Sequence, residues 1–146
     1  ALSSAASDVY KRQLEELVNE TRTIILYEAP HKLVRTLRDL RETLGNRRMT
    51  LCRELTKKHE TAFHSTIDDL ITHYEKEKPL GECVLVIEGK SRQELKEEAV
   101  ASWEEISIEE HMEIYAKQGM SRKDAMKQVA KDRGVSKRDI YSYLMK

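Results

Sequence analysis

A chain of 146 residues, 39% hydrophobic and 36% charged with few Gly and Pro, has room for one ordinary domain and a small appendage. That composition excludes fibrous and disordered classes and favours a helix-rich globular protein, while no apolar run approaches the roughly 20 residues needed to span a bilayer, so no membrane partner is expected and a cytoplasmic location is the default. The net charge is zero, but residues 91–116 carry eight Glu against Arg92 and Lys96, whereas residues 117–146 carry nine Lys or Arg against three Asp. A basic terminal segment suits a polyanion such as nucleic acid; mutual neutralisation of the two segments within the fold is the competing explanation.

Residues 1–13 read as a non-native or disordered leader. Ala1 to Ser7 is a run of small residues without the cationic and apolar regions of a signal peptide. Asp8-Val9-Tyr10-Lys11-Arg12-Gln13 resembles the translation of a transposon adapter used in sequencing libraries, with an ordinary terminus as the alternative. Residues 14–20 look like the tail of a helix.

Thr23-Ile24-Ile25-Leu26-Tyr27 is a nearly continuous apolar, β-branched run, which predicts a strand covered on both faces. Pro30 suits the first turn of a helix, where its fixed φ fits and its missing N–H is no loss. Leu33, Leu37, Leu40 and Leu44 then mark one helical face, and Gly45 closes it. Met49 to Cys52 reads as a second strand, so residues 23–52 form a strand-helix-strand unit with a right-handed crossover and parallel strands. Ligands bind at strand ends in such units, which puts Glu28 and His31 on the same sheet edge as the cluster that follows Cys52. That cluster, residues 53–60, packs six ionisable side chains into eight positions.

Thr61 to Ser65 alternates weakly, as an edge strand does. Thr66 with Asp69 opens a helix carrying Ile67, Leu70, Ile71 and Tyr74, and Cys83-Val84-Leu85-Val86-Ile87 is a third buried strand. Cys52 and Cys83 lie inside apolar runs without metal-ligand spacing and read as core, and no metal site is expected. Phe63 and Tyr74 also read as core, and Trp103 as an anchor for the acidic segment.

From Gly89 onward the pattern is purely helical. Ser107, Ser121 and Ser136 each precede an acidic residue by three positions, giving three helix starts. The last two frame Ala125, Val129 and Ala130, a Gly134 turn, then Ile140, Tyr141 and Leu144, which is helix-turn-helix patterning. Arg122, Lys123, Lys137 and Arg138 would face a nucleic acid there; a plain helical hairpin is the alternative. The expected organisation is a leader over 1–13, an α/β lobe over 14–90, an acidic linker or helix over 91–106 and a helical module over 107–146. The fold class is α/β, a mixed sheet of three to five strands with packed helices, followed by that helix-turn-helix-like module.

Three motifs carry a family resemblance: Leu26-Tyr27-Glu28-Ala29-Pro30-His31-Lys32, then Arg53-Glu54-Leu55-Thr56-Lys57 with Glu60, then Gly81-Glu82 leading into Val84-Leu85-Val86-Ile87-Glu88-Gly89. In order and spacing they resemble the C-terminal portion of the 16S ribosomal RNA (cytidine-2′-O)-methyltransferase family, within the tetrapyrrole-methylase-like, class III methyltransferases. The resemblance covers residues 14–146. It implies S-adenosyl-L-methionine as methyl donor, 16S rRNA or the small ribosomal subunit as partner, and a Gly-rich N-terminal cofactor lobe that this chain lacks; it also leaves room for a homodimer. A tetrapyrrole methylase lobe and a non-catalytic nucleic-acid-binding module are the alternatives.

Methyl transfer from a sulfonium to a ribose hydroxyl requires in-line alignment and a route for the hydroxyl proton. Glu54, Glu60 and Glu28 are candidate proton acceptors. Lys57 could lower a carboxylate's pKa or hold a phosphate, and Arg53 suits bidentate phosphate binding. The resemblance therefore implies Glu54, Lys57 and Glu60 as catalytic, Glu28, His31, Thr56 and Glu82 as cofactor-binding, and Arg53 as an RNA contact. A Glu54–Lys57 ion pair that merely orders the strand end is the competing structural role.

Overall fold

The structure, a computed structural model, describes residues 2–145. It divides into two compact units, the first ending at Ser91 and the second beginning at Arg92.

The first unit contains α1 (Leu2–Glu16), β1 (Ile24–Glu28), a 3-10 turn at Pro30–Lys32, α2 (Leu33–Leu44), β2 (Arg48–Arg53), β3 (Thr61–Thr66), α3 (Ile67–Lys76) and β4 (Cys83–Ile87). The four strands form one sheet in the order β1-β4-β2-β3, and every neighbouring pair is antiparallel. The α/β class stands and β1 and β2 are parallel to each other as expected, but the expected mixed sheet is one whose neighbouring strands are all antiparallel. Between β1 and β2 lies β4, antiparallel to both. This is a split strand-helix-strand unit. The physical reason lies in β4 itself, Cys-Val-Leu-Val-Ile, which is buried at four of its five positions and so takes a central place with a partner on each side.

The sheet is packed on one face only. Ile24, Met49, Leu51, Leu85 and Ile87 join Leu33, Leu37, Leu40 and Leu44 of α2 and Ile67, Leu70 and Tyr74 of α3 in the core. Burying each such side chain is worth about 1.5–3 kcal/mol. The alternate residues of β1 point the other way: Ile25 is 57% and Tyr27 82% exposed. Coverage on both faces, expected from the unbroken apolar run, is thus replaced by one covered face, because a run of β-branched residues satisfies a one-sided strand equally well. Phe63, expected in the core, is 41% exposed on the edge strand β3 and stacks on His73 with ring centres 5.1 Å apart. Residues 1–13 are the run expected as a non-native or disordered leader. Described residues of that run belong to α1, which is anchored by Leu14 in the core with Tyr10 packed beside it.

The second unit holds α4 (Arg92–Ser102), α5 (Ile108–Lys117), α6 (Arg122–Asp132) and α7 (Lys137–Leu144). Ser107, Ser121 and Ser136 cap α5, α6 and α7, each accepting from the backbone N–H three residues on, as their spacing predicts. The core is small: Val129, Ala130 and Ile140, with Ile108, Met112, Met126 and Leu144 around it. Beside it a polar network is buried. His111 is fully buried, Trp103 stacks on it at 3.8 Å, and Arg133 Nε donates to its Nδ1 at 3.2 Å. The bond between His111 Nε2 and Asp132 therefore carries the imidazole proton, and Tyr115 donates its hydroxyl to the same carboxylate. Trp103 anchors the acidic segment as expected.

Candidate functional site

The ends of β1 and β2 flank the start of β4: Glu28 and Arg53 are both register partners of Cys83. Two strand spacings, about 10 Å, separate them. The expected common edge is therefore real, although the strand between them was not foreseen.

After Arg53 the chain reverses through two residues in the left-handed region, Glu54 at φ 51 and Thr56 at φ 64. Neither residue favours that conformation, so the surroundings must hold it. Glu54 and Glu82 clasp each other. The Glu54 N–H donates to the Glu82 carbonyl at 3.1 Å, and the Glu82 N–H donates to Glu54 Oε1 at 2.8 Å. Lys57 N–H donates to the Glu54 carbonyl at 3.0 Å, and the Thr56 N–H to Glu60 Oε2 at 2.6 Å. The Lys57 ammonium bridges the carboxylates of Glu54, at 3.4 Å, and Glu82, at 3.2 Å. Across the knot, Arg53 Nε donates to the Leu80 carbonyl at 2.9 Å.

Gly81 makes the clasp possible. Its φ of +77 favours glycine, and a Cβ there would overlap the Glu54 carboxylate. Its importance is not visible in local sequence, because the residue it accommodates lies far away in the chain.

These contacts sort the candidates chemically. The Glu82 N–H, aided by Lys57, holds the Glu54 carboxyl below the usual carboxylate range. Hydrogen bonds to Glu82 and Glu54 push the Lys57 ammonium up. A carboxylate that is already bonded and favours its charged form is a weak proton acceptor, so the geometry gives Glu54 a loop-ordering role. Glu60 caps the same loop. Glu82 is different: its side chain is 83% exposed and, among the described residues, bonds only the Lys57 ammonium.

Glu28 faces the helices. Its Oε1 accepts from the Ala29 N–H at 2.8 Å and its Oε2 from the buried Thr36 hydroxyl at 2.6 Å, which fixes the start of α2. His31 is exposed in the 3-10 turn. The sheet end thus gathers Arg53, Glu54, Thr56, Lys57, Glu60 and Glu82 into one knot, with Glu28 across β4. Arg122, Lys123, Lys137 and Arg138 belong to the second unit, exposed on the first turns of α6 and α7.

Sequence reasoning missed Tyr27, Leu55 and Val84, which line a concavity of about 580 Å³ together with Glu28 and Glu82. The signal was present in the alternation of β1, where Tyr27 and Ile25 fall on the face opposite Leu26.

Comparison with known proteins identifies the class first. Residues 2–71 match the family model described as Tetrapyrrole (Corrin/Porphyrin) Methylases, and the α/β fold with its occupied strand ends accords with that class. The chain is 42% identical over 131 residues to the Ribosomal RNA small subunit methyltransferase I of Bacillus subtilis (strain 168), covering 90% of this chain and 44% of that protein. It is 42% identical over 137 residues to the protein of that name from Halalkalibacterium halodurans, covering 90% and 46%. For the one from Synechocystis sp. the identity is 36% over 129 residues, covering 88% and 44%. Within the methylase class, the chain is similar over about nine-tenths of its length to proteins named ribosomal RNA small subunit methyltransferase I. It spans less than half the length of those relatives.

Proposed function

We propose that this chain forms one wall of the catalytic cleft of an S-adenosyl-L-methionine-dependent methyltransferase acting on a cytidine 2′-hydroxyl of small-subunit rRNA. The observation that carries this reading is the convergence of all three motifs on one sheet end, with Glu28 and Arg53 flanking Cys83 and the Glu54–Lys57–Glu82 knot beside them.

The donor, when bound, supplies an electrophilic methyl group on a sulfonium. The residues present fit one side of such a ligand: Leu55 and Val84 offer an apolar floor, and the exposed Glu82 carboxylate an anionic rim suited to a cationic nucleoside. Lys57 and Arg53 supply cations for a phosphate or for charge that develops during transfer. Thr56 and His31 offer exposed hydrogen-bonding groups on the segments that follow β2 and β1. In this reading a further lobe cradles the cofactor and the 146-residue chain by itself transfers no methyl group, in keeping with its spanning less than half the length of its relatives.

The second unit serves as the RNA-holding module in this reading. Its α6–turn–α7 segment is a helix-turn-helix-like arrangement, and Arg122, Lys123, Lys137 and Arg138 enter no ion pair among the described residues. Exposed cations of this kind give affinity through phosphate contacts that weaken with salt.

The test is methyl transfer by the enzyme that joins this chain to its cofactor lobe, followed by nucleoside analysis of the product. Ribose methylation of a small-subunit cytidine is expected. Methylation of a base, or of a tetrapyrrole in place of RNA, would overturn the reading, as would methyl transfer by the 146-residue chain alone.

A further inference from the structure

The uncovered face of the sheet carries side chains in two rows. Tyr27, Val84 and Cys52 are register partners across β1, β4 and β2, and Ile25, Val86 and Thr50 form the next row. Tyr27 stands out, being 82% exposed between two core-facing neighbours, Leu26 and Glu28. Among the described residues its hydroxyl has no hydrogen-bond partner, so nothing described in this unit explains a tyrosine at the position.

The concavity beside that ring has the size of a nucleoside site, about 580 Å³. Leu55 and Val84 form its apolar floor, and Glu28 and Glu82 also line it. Both oxygens of Glu28 already accept bonds from within the chain. Glu82 is therefore the acceptor available to a ligand, held at the rim by Lys57.

A planar ring platform, an aliphatic floor and one carboxylate acceptor match a flat heteroaromatic ring with an exocyclic amine. Stacking supplies affinity for any base, and the carboxylate accepts from the amine. We propose that Tyr27 is a stacking platform for an amino-bearing nucleobase whose amine donates to Glu82. Adenine of the cofactor and cytosine of the RNA both have that chemistry. The proposal rests on the reading above in placing a nucleoside at this end of the sheet.

The chain itself provides the first test. Its tyrosine ring resonances are followed by NMR during titration to millimolar S-adenosylhomocysteine, cytidine 5′-monophosphate or ribose 5-phosphate, with Tyr27 assigned from the Tyr27→Leu spectrum. An upfield ring-current shift at Tyr27 with one base-bearing probe, absent with ribose 5-phosphate, is expected, and the responding probe names the source of the base. No shift with either base, or an equal shift with ribose 5-phosphate, would overturn the proposal. Tyr27→Leu should fold normally, since the ring is exposed.

In the complete enzyme, Tyr27→Leu should raise KM for the matching ligand about tenfold with a smaller change in kcat, and Tyr27→Phe should restore it. An unchanged KM for both donor and RNA would refute the platform even if Lys57→Ala slowed turnover, which would leave the cleft reading intact. Conversely, a Tyr27 ring shift with an inert Lys57→Ala would remove the cleft reading and keep the platform.

Discussion

Replacing Gly81 by Ala should do more damage than replacing Gly45 by Ala, although both glycines have a positive φ, +77 and +81. An L-residue at such a φ costs at least about 1–2 kcal/mol, and both variants incur strain of that order. At Gly45 nothing lies within 4 Å of the new Cβ, so strain is the whole effect. At Gly81 the Cβ meets the Glu54 carboxylate, which must leave the Glu82 N–H and the Lys57 ammonium. For a unit of this size, strain alone lowers the melting temperature by about 4–15 °C. Calorimetry gives that shift for each variant, and the Glu54 side-chain carbon resonance followed against pH reports on the clasp. Gly81→Ala should melt lower than Gly45→Ala and return the Glu54 carboxyl toward its ordinary range, while Gly45→Ala leaves Glu54 untouched. Equal melting shifts with an unmoved Glu54 titration would refute the clasp.

The remaining expectations concern the two cores and the caps. Leu85→Ala, at a fully buried position of the central strand, should cost about 2–5 kcal/mol in urea unfolding; a cost below that of an ordinary surface change would contradict the central placement of β4. Burial and the neighbouring Arg133 hold the His111 imidazole below its ordinary value, so the neutral form is the folded one. Its contribution is full above the unfolded pKa of about 6.5 and lost as pH falls below it. Chemical unfolding of the second unit, followed by Trp103 fluorescence, should thus become easier between neutral pH and about pH 5, and His111→Gln should flatten that dependence. Stability that rises on acidification would contradict the assigned proton. Ser136→Ala removes the cap of α7 and should cost about 1 kcal/mol, whereas Ser142→Ala on the exposed face of the same helix should be neutral.

What was legible in the sequence was local. The three serine caps, the Thr66 N-cap and Gly45 at the end of α2 follow from residue type and spacing within one turn, and the structure shows each in place. The pairing order of the sheet was not legible, because β4 enters between β1 and β2 from thirty residues beyond β2 and only the burial of four of its five residues marks it as central. The residues at the strand ends were found, and the Glu54–Lys57 ion pair was among the readings, but the bonds of Glu54 to Glu82 were not. Glu54 and Thr56 are unusual left-handed residues, and the partner that permits them, Gly81, is distant in sequence. A carboxylate next to a lysine suggests acid–base chemistry on paper; the backbone N–H of Glu82 turns Glu54 into a clasp. Tyr27 was read as part of a buried run because an apolar strand reveals its covered face only when the packing is known.

The central claim is that the knot after β2 belongs to a methyl-transfer cleft, and Lys57→Ala in the complete enzyme tests it most directly. Lys57 is exposed at the surface of the knot and is not needed for the core. Single-turnover transfer of labelled methyl to small-subunit rRNA should slow by about a hundredfold, the usual effect of removing a group that stabilises developing charge, with the melting temperature nearly unchanged. Turnover equal to that of the unaltered enzyme would contradict the account.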